Sequence, residues 1–468
     1  MIPIIAVSFV VLLLLGIPVA FVIGVAGFIG LWWSGEYPLT VIVKQIFEGV
    51  DSFVLLAIPL FILAGAFMET GGIAVRLVRL AQVLVGWIRG GLSMAVVVAE
   101  YIFSGISGST VADVSAIGST MIPPMLRAGY RPEQAVAVVS AASAMGILVP
   151  PCILMIVIGS VANVSVAALF AAGFLPAVVL ALAIMAYIWY DAGRSGIEAR
   201  ARASWGDIGR AFVDAVIPLG LPAIIFGGIL GGVVTPTEAA VLAVIYAFIV
   251  GVFVYREIAW ADLPRILVHS AVVTAAVCFL LGTAAVVAWV LAVQQIPQLL
   301  LKAMLAVPGG NLVFLGLTAL LFILLGAVLE GLPAVVILLP TFMPVVSRLG
   351  IDVIHYSTVV VAATGGQVVG WGSLNAFNPR PAYDNVVDLS VYVERGWRGR
   401  GVGRALLQHL LPLARTLGYH KMVLATFPFN EAGVALYRKV GFRPVGVYRE
   451  QGRLDGRWVD VLIMERLL

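Results

Sequence analysis

A six-residue run, GISGST at 105–110, interrupts a chain that is otherwise almost continuously apolar. It lies inside FSGISGSTVADVSAIGSTMIPPMLRAG, with apolar helix-like stretches at 92–103 and 111–126 on either side. Two half-length helices meeting at a polar tip describe a re-entrant hairpin, and non-helical backbone at membrane depth survives only where protein or a water-filled cavity surrounds it. Half-helix ends with free carbonyls and hydroxyls are a means by which secondary transporters hold coupling ions and anionic groups. A Ser/Gly packing face between helices is the plainer reading of the same residues.

The surroundings decide the solvent. Hydrophobic residues make up 62% of the 468 positions and the mean hydropathy is +1.10, values that soluble domains do not reach. Apolar segments recur at 3–33, 52–70, the hairpin, 135–160, 166–190, 214–234, 237–255, 268–293 and 311–346, and 3–33 reads as a first membrane helix. Amphipathic stretches at 37–50 and 73–88 read as helices along the interface. Charge divides the chain in two: residues 1–356 carry 14 Lys/Arg and 16 Asp/Glu, whereas 357–468 carry 14 and 8 in under a third of the length. The fold expected is a multi-span α-helical membrane unit with inverted repeats and re-entrant hairpins, followed by a soluble, basic α/β unit.

Arg76, Arg79, Arg89, Arg127, Arg131, Arg194, Arg200, Arg202, Arg210, Arg256 and Arg265 all fall on one side by span count, which makes that side cytoplasmic. Cys152 and Cys278 lie in apolar segments, and the four histidines lack metal-ligand spacing, so neither a disulfide framework nor a metal centre is expected. Nucleic acid is not an expected partner. An internal repeat is visible: an offset of 221 carries PPMLRAG (123–129) onto PVVSRLG (344–350), and Gly105 onto Gly326. A second hairpin follows, with Glu330, Gly331, Leu332 and Pro333 at its tip, entering from the opposite face. Asp113, one turn past the first tip, is a carboxylate at membrane depth that needs a partner or a role. Thr235, Pro236, Thr237 and Glu238 read first as a capped helix start and second as a ligand group.

IPLFILAGAFMETGGIA (58–74), the first hairpin, GILVPPCILMIVIGSVANVS (146–165), GGVVTPTEAA (231–240) and LLPTFMPVVSRLGID (338–352) resemble the large membrane subunit of TRAP (tripartite ATP-independent periplasmic) transporters over residues 1–356. The resemblance implies sodium-coupled uptake of a small organic acid anion across a bacterial inner membrane. It also implies a small partner membrane subunit, a periplasmic substrate-binding protein and an elevator-type motion. The substrate and ion residues it implies are Gly105, Ser107, Gly108, Ser109, Thr110, Asp113 and the helix break at Pro150 and Pro151.

In the tail, TVVVAAT (358–364), VVGWGSLNAF (368–377) and VVDLSVYVE (386–394) read as strands. RGWRGRGVG (395–403) then opens an amphipathic helix over 404–418, an arrangement suited to an anion. With KMVLATFP (421–428), NEAGVALYRKVGF (430–442) and GRLDGRWVDVLIMERLL (452–468), these segments resemble GNAT acetyltransferases of the phosphinothricin type. The resemblance implies acetyl-CoA held by Arg398, Gly399, Arg400, Gly401, Val402, Gly403, Arg404 and Asn430. The pantetheine arm would lie on Val391 and Val393, and Tyr437 would protonate the departing thiolate. The family often has Glu where this chain has Asp388, the candidate general base. Without the resemblance, Tyr437 reads as a packed core tyrosine.

Both units read as shortened. The permease match stops near His355 and Tyr356, and the acetyltransferase lacks its first strand and first two helices. With Gly350 on the outer face and no 20-residue span after Tyr356, the tail is expected outside, away from acetyl-CoA. Three accounts remain open from the sequence: a permease with a fused acetyltransferase, a membrane-anchored N-acetyltransferase acting on an amino-acid-like amine, or a junction of two truncated genes.

Overall fold

The computed structural model describes residues 1–107, 110–195, 202–305, 310–328, 331–364, 370–376, 385–393, 402–416, 418–454 and 457–468. The expected first span at 3–33 is two helices, α1 (Ile2–Leu14) and α2 (Val19–Ser34). Gly16, at φ +77°, turns the chain between them, and Pro18 caps α2. Next come α3 (Thr40–Val50), a 3-10 turn at Phe53–Leu56, α4 (Ala57–Thr70) and α5 (Ile73–Val85).

The hairpin is α6 (Gly91–Ser107) and α7 (Thr110–Arg127), followed by α8 (Pro132–Gly146) and α9 (Ile153–Ala162). Then α10 (Val166–Ser195), α11 (Trp205–Leu230), α12 (Pro236–Ile249), α13 (Leu263–Val293) and α14 (Ile296–Leu305) lead to α15 (Gly310–Val328), α16 (Gly331–Arg348) and α17 (Val353–Thr364). Among the described residues, six helical segments are long and apolar enough to cross a membrane. One continuous apolar core joins α4 to α17, while Leu175, Leu182, Val213 and Phe212 stand outward, as side chains facing lipid do.

The 221-residue repeat is structural. It carries both ends of α7 onto those of α16, the end of α6 onto that of α15, and the start of α8 onto that of α17. Two expectations are corrected here. Residues 358–364, expected as a strand, are helix: the Val359–Val361 run has strand preference, but Tyr356, Ser357, Val360, Val361 and Thr364 are buried on α15, α16 and α10, and such packing overrides propensity. The repeat therefore continues past Tyr356 to Thr364, the counterpart of Ser143.

The expected loop at 105–110 also narrows. Gly105 to Ser107 are helical, Thr110 begins α7, and only 108–109 lie outside the described residues. The Thr235 to Glu238 stretch is a cap: the Thr235 amide donates to Glu238 Oε2 at 2.7 Å and the Glu238 amide to Thr235 Oγ1 at 3.3 Å.

The tail is a five-stranded sheet of order β1-β2-β3-β5-β4, made of β1 (Gly370–Ala376), β2 (Val386–Val393), β3 (Lys421–Thr426), β4 (Arg443–Leu454) and β5 (Arg457–Leu467). Helices α18 (Val402–Thr416) and α19 (Glu431–Lys439) complete it around Val387, Leu389, Leu407, Met422, Leu424, Phe442 and Met464. Among the described residues, β2 and β3 pair in parallel, and β1–β2, β3–β5 and β4–β5 pair antiparallel. Glu465 ties the sheet together, meeting Lys421 of β3 and Arg443 of β4, the latter at 2.8 Å.

Candidate functional site

The first hairpin carries two buried carboxyl groups. Asp113, one turn into α7, is 1% exposed and accepts a hydrogen bond from Ser104 Oγ of α6. Glu100, one turn before Ser104 on α6, is fully buried and accepts from Ser143 Oγ of α8 at 2.7 Å. Sequence reasoning missed Glu100, although an acid within LSMAVVVAEYIF met the criterion applied to Asp113. Among the described residues its Oε2 atom has no hydrogen-bond partner. Glu100 and Ser104 share one face of α6, and Ser143 and Gly146 share one face of α8. The two acids therefore line a single polar seam that ends at the tip.

The seam closes tightly. A Cβ on Gly146 would stand 2.7 Å from Asp113 Oδ2, inside van der Waals contact. A Cβ on Gly105 would stand 3.1 Å from the carbonyl oxygen of Pro150, so the hairpin backbone lies directly on the helix break. That break, residues 147–152 between α8 and α9, contains a cis Pro150–Pro151 bond. Gly105, Asp113, Pro150 and Pro151 are thus brought together and buried, and Thr110, one turn before Asp113 on α7, is half-buried. Gly108 and Ser109 lie outside the described residues, as does the Ser107 side chain. In the second hairpin, Cβ atoms on Gly326 and Gly331 would stand 3.2 and 2.9 Å from the Thr364 carbonyl oxygen, and Leu321 and Ala334 occupy the places of Glu100 and Asp113.

Arginines from separate connections meet at one end of the bundle. Arg76 lies over the Tyr255 ring at 3.6 Å and 2.9 Å from Glu257. Arg79 is 3.6 Å from Asp214, Arg89 lies over Trp189, and Arg202 over Trp87. Gln134, at the start of α8, donates to Asp191 near the end of α10 at 3.0 Å, which joins the exit of the first hairpin to the same end.

In the tail, the β2–β3 ladder stops at Asp388 opposite Val423, while β2 continues to Val393 paired with β1 alone. The strands therefore part beyond Asp388, and the backbone of Val391 and Val393 lies along the opening. Burial pushes the Asp388 carboxyl above the usual aspartate range. Val402 and Gly403 begin α18 and Arg404 is exposed in its first turn; Arg398, Gly399, Arg400 and Gly401 lie outside the described residues. Asn430 caps α19, its Oδ1 accepting from the Gly433 amide at 3.2 Å. Tyr437 packs edge-on against Phe442, with ring centroids 6.1 Å apart, at the margin of the tail core.

Comparison with known proteins bears on both units. Residues 6–367 match the family described as tripartite ATP-independent periplasmic transporter, DctM component. The chain belongs to that family. Residues 340–442 match the acetyltransferase (GNAT) family, so the permease carries a GNAT domain at its C-terminal end. The two matches overlap at 340–367, where α17 packs within the membrane bundle.

The isethionate TRAP transporter permease DctMQ of Oleidesulfovibrio alaskensis is 34% identical over 75% of this chain and 56% of its own length. The ectoine/5-hydroxyectoine large permease UehC of Ruegeria pomeroyi is 36% identical over 75% and 83%. The C4-dicarboxylate large permease DctM of Vibrio cholerae is 34% identical over 75% and 82%. A phosphinothricin acetyltransferase from Sinorhizobium meliloti, solved with AcCoA, is 35% identical over 22% of this chain and 56% of that one, with a TM-score of 0.22. The chain thus spans little more than half the length of that acetyltransferase and of the isethionate permease.

Proposed function

We propose that the chain is the large subunit of a sodium-driven uptake system for a small organic acid anion in a bacterial inner membrane. It would work with a small membrane subunit and a periplasmic substrate-binding protein. The observation that carries this reading is the contact of Gly105 with the Pro150 carbonyl beside the buried Ser104–Asp113 pair. Carbonyls freed at the break, with the hydroxyls of Ser107, Ser109 and Thr110, supply oxygens of the kind a sodium ion takes. Gly105 lets the backbone approach, Pro150 and Pro151 hold the break open, and Asp113 balances the ion's charge. Isethionate and C4-dicarboxylates, for which two of the relatives are named, are acids of this class.

The tail is proposed as an acetyl-CoA-dependent N-acetyltransferase. Val391 and Val393 would bond the pantetheine arm in the opening between β2 and β3, and residues 398–404 with Asn430 would hold the pyrophosphate end. Asp388 would take the proton of the acceptor amine and Tyr437 would return one to the thiolate. The division between the two units, expected after 356, is proposed to follow Thr364, a reading supported by the packing of α17 in the membrane bundle.

The test is uptake into liposomes holding the chain and the small subunit, with binding protein and labelled acid outside. Accumulation with a sodium gradient and none with choline is expected. No accumulation with sodium, alongside acetyl transfer from acetyl-CoA, would leave the tail as the working part.

A further inference from the structure

The path of the chain after the second hairpin carries an inference about where the acetyltransferase works. It rests on the two-hairpin permease reading. Helix α17 leaves the face that holds Ser347 and Gly350 and runs 12 residues, about 18 Å at 1.5 Å per residue. That is little more than half of a hydrocarbon core of about 30 Å. Its last residue, Thr364, lies on Gly326 and Gly331, which flank the turn of the second hairpin. A hairpin's turn lies at mid-depth, so the chain stands halfway through the membrane at Thr364, pointing away from the face it entered.

The repeat predicts what should follow. In the first half, α8 reaches mid-depth, breaks, and continues as α9, which packs on α16, the return arm of the opposite hairpin. The exchanged counterpart of that contact is a segment after α17 packing on α7. Strand β1 packs on α7. The end of α7 carries Arg127, and the Gln134–Asp191 bond fastens the chain after it to the arginine-bearing end of the bundle. Twenty-one positions separate Thr364 from the start of β2.

We propose that the acetyltransferase unit lies on the arginine-rich, cytoplasmic face, led there along α7 by the path that a second broken helix would take. The expectation of an outward tail came from counting whole spans, and a half-span reverses it. On this side the unit meets acetyl-CoA, and its β1 touches α7, one arm of the first hairpin.

The test labels single cysteines in the full chain with Cys152 and Cys278 replaced by alanine, using a maleimide that does not cross membranes. Arg202→Cys reports the arginine-rich face, Ser347→Cys the other, and Arg449→Cys the exposed β4 of the tail. The expected result is Arg449→Cys behaving as Arg202→Cys: background labelling in intact spheroplasts and strong labelling in inverted vesicles. Labelling of Arg449→Cys in spheroplasts together with Ser347→Cys, or equally from both sides, overturns the proposal. A fluorescent protein fused after Leu468, of a kind that matures only in the cytoplasm, gives an independent readout: fluorescence is expected, and dark, membrane-inserted chain overturns it. Neither readout depends on uptake or acetyl transfer, so failure here leaves the transport reading standing.

Discussion

Replacing Gly146 with alanine tests the seam most sharply. The residue is helical, so a methyl group brings no backbone strain and its helix preference favours the variant by up to about 1 kcal/mol. Against that, the methyl would sit 2.7 Å from Asp113 Oδ2 and closer still to the Ser104 hydroxyl, both buried and bonded to each other. Pushing α8 away costs about 1–3 kcal/mol as overpacking, and breaking the Ser104–Asp113 bond leaves a buried carboxylate short of a donor at a further ~1–3 kcal/mol. The net expectation is destabilisation of roughly 1–6 kcal/mol, with weaker sodium binding because Asp113 loses its fixed position. Gly209→Ala is the matched control: a Cβ there meets nothing within 4 Å, so it should be neutral or stabilising. The assay is the thermal midpoint of the detergent-solubilised chain, followed by loss of the monodisperse species. A Gly146→Ala midpoint equal to that of Gly209→Ala would refute the packing argument.

Other consequences follow from single contacts. In the second hairpin, Gly331→Ala should lower the same midpoint, because its Cβ would stand 2.9 Å from the Thr364 carbonyl, whereas Gly316→Ala, with open space, should not. Lys421 and Arg443 hold the Glu465 carboxyl below the usual glutamate range. Its stabilisation is therefore present above the ordinary glutamate value and lost as pH falls through the lowered one. Proteolysis of the tail in the full chain should accelerate over that acid window, and Glu465→Gln should flatten the dependence. Asp388 has the opposite sign: raised by burial, it favours the fold at low pH and loses that contribution as pH rises through its raised value. Asp388→Asn should thus make the tail more protease-resistant at neutral pH while abolishing acetyl transfer.

How much was legible follows from the kind of signal each element carries. The hairpin ends were readable because Gly, Ser and Pro punctuate an apolar background, and the repeat was readable because PPMLRAG and PVVSRLG share spacing. Helix α17 was not, since three consecutive valines carry local strand preference and only burial on three neighbouring helices reveals the helix. The break between α1 and α2 was signalled by Gly16 and Pro18 but masked by hydropathy that stays high across it. Glu100 was hidden in another way: its partner Ser143 is 43 residues away, and a lone acid in an apolar run announces burial without naming what it meets.

The most direct measurement is the thermal midpoint of the full chain in sodium chloride against choline chloride at equal ionic strength, for the native chain and Asp113→Asn. A cation held at the first hairpin binds only the folded state and must raise the midpoint in sodium. The account predicts such a rise in the native chain and its loss in Asp113→Asn. Identical midpoints in the two salts, or a sodium effect that survives Asp113→Asn unchanged, would contradict it.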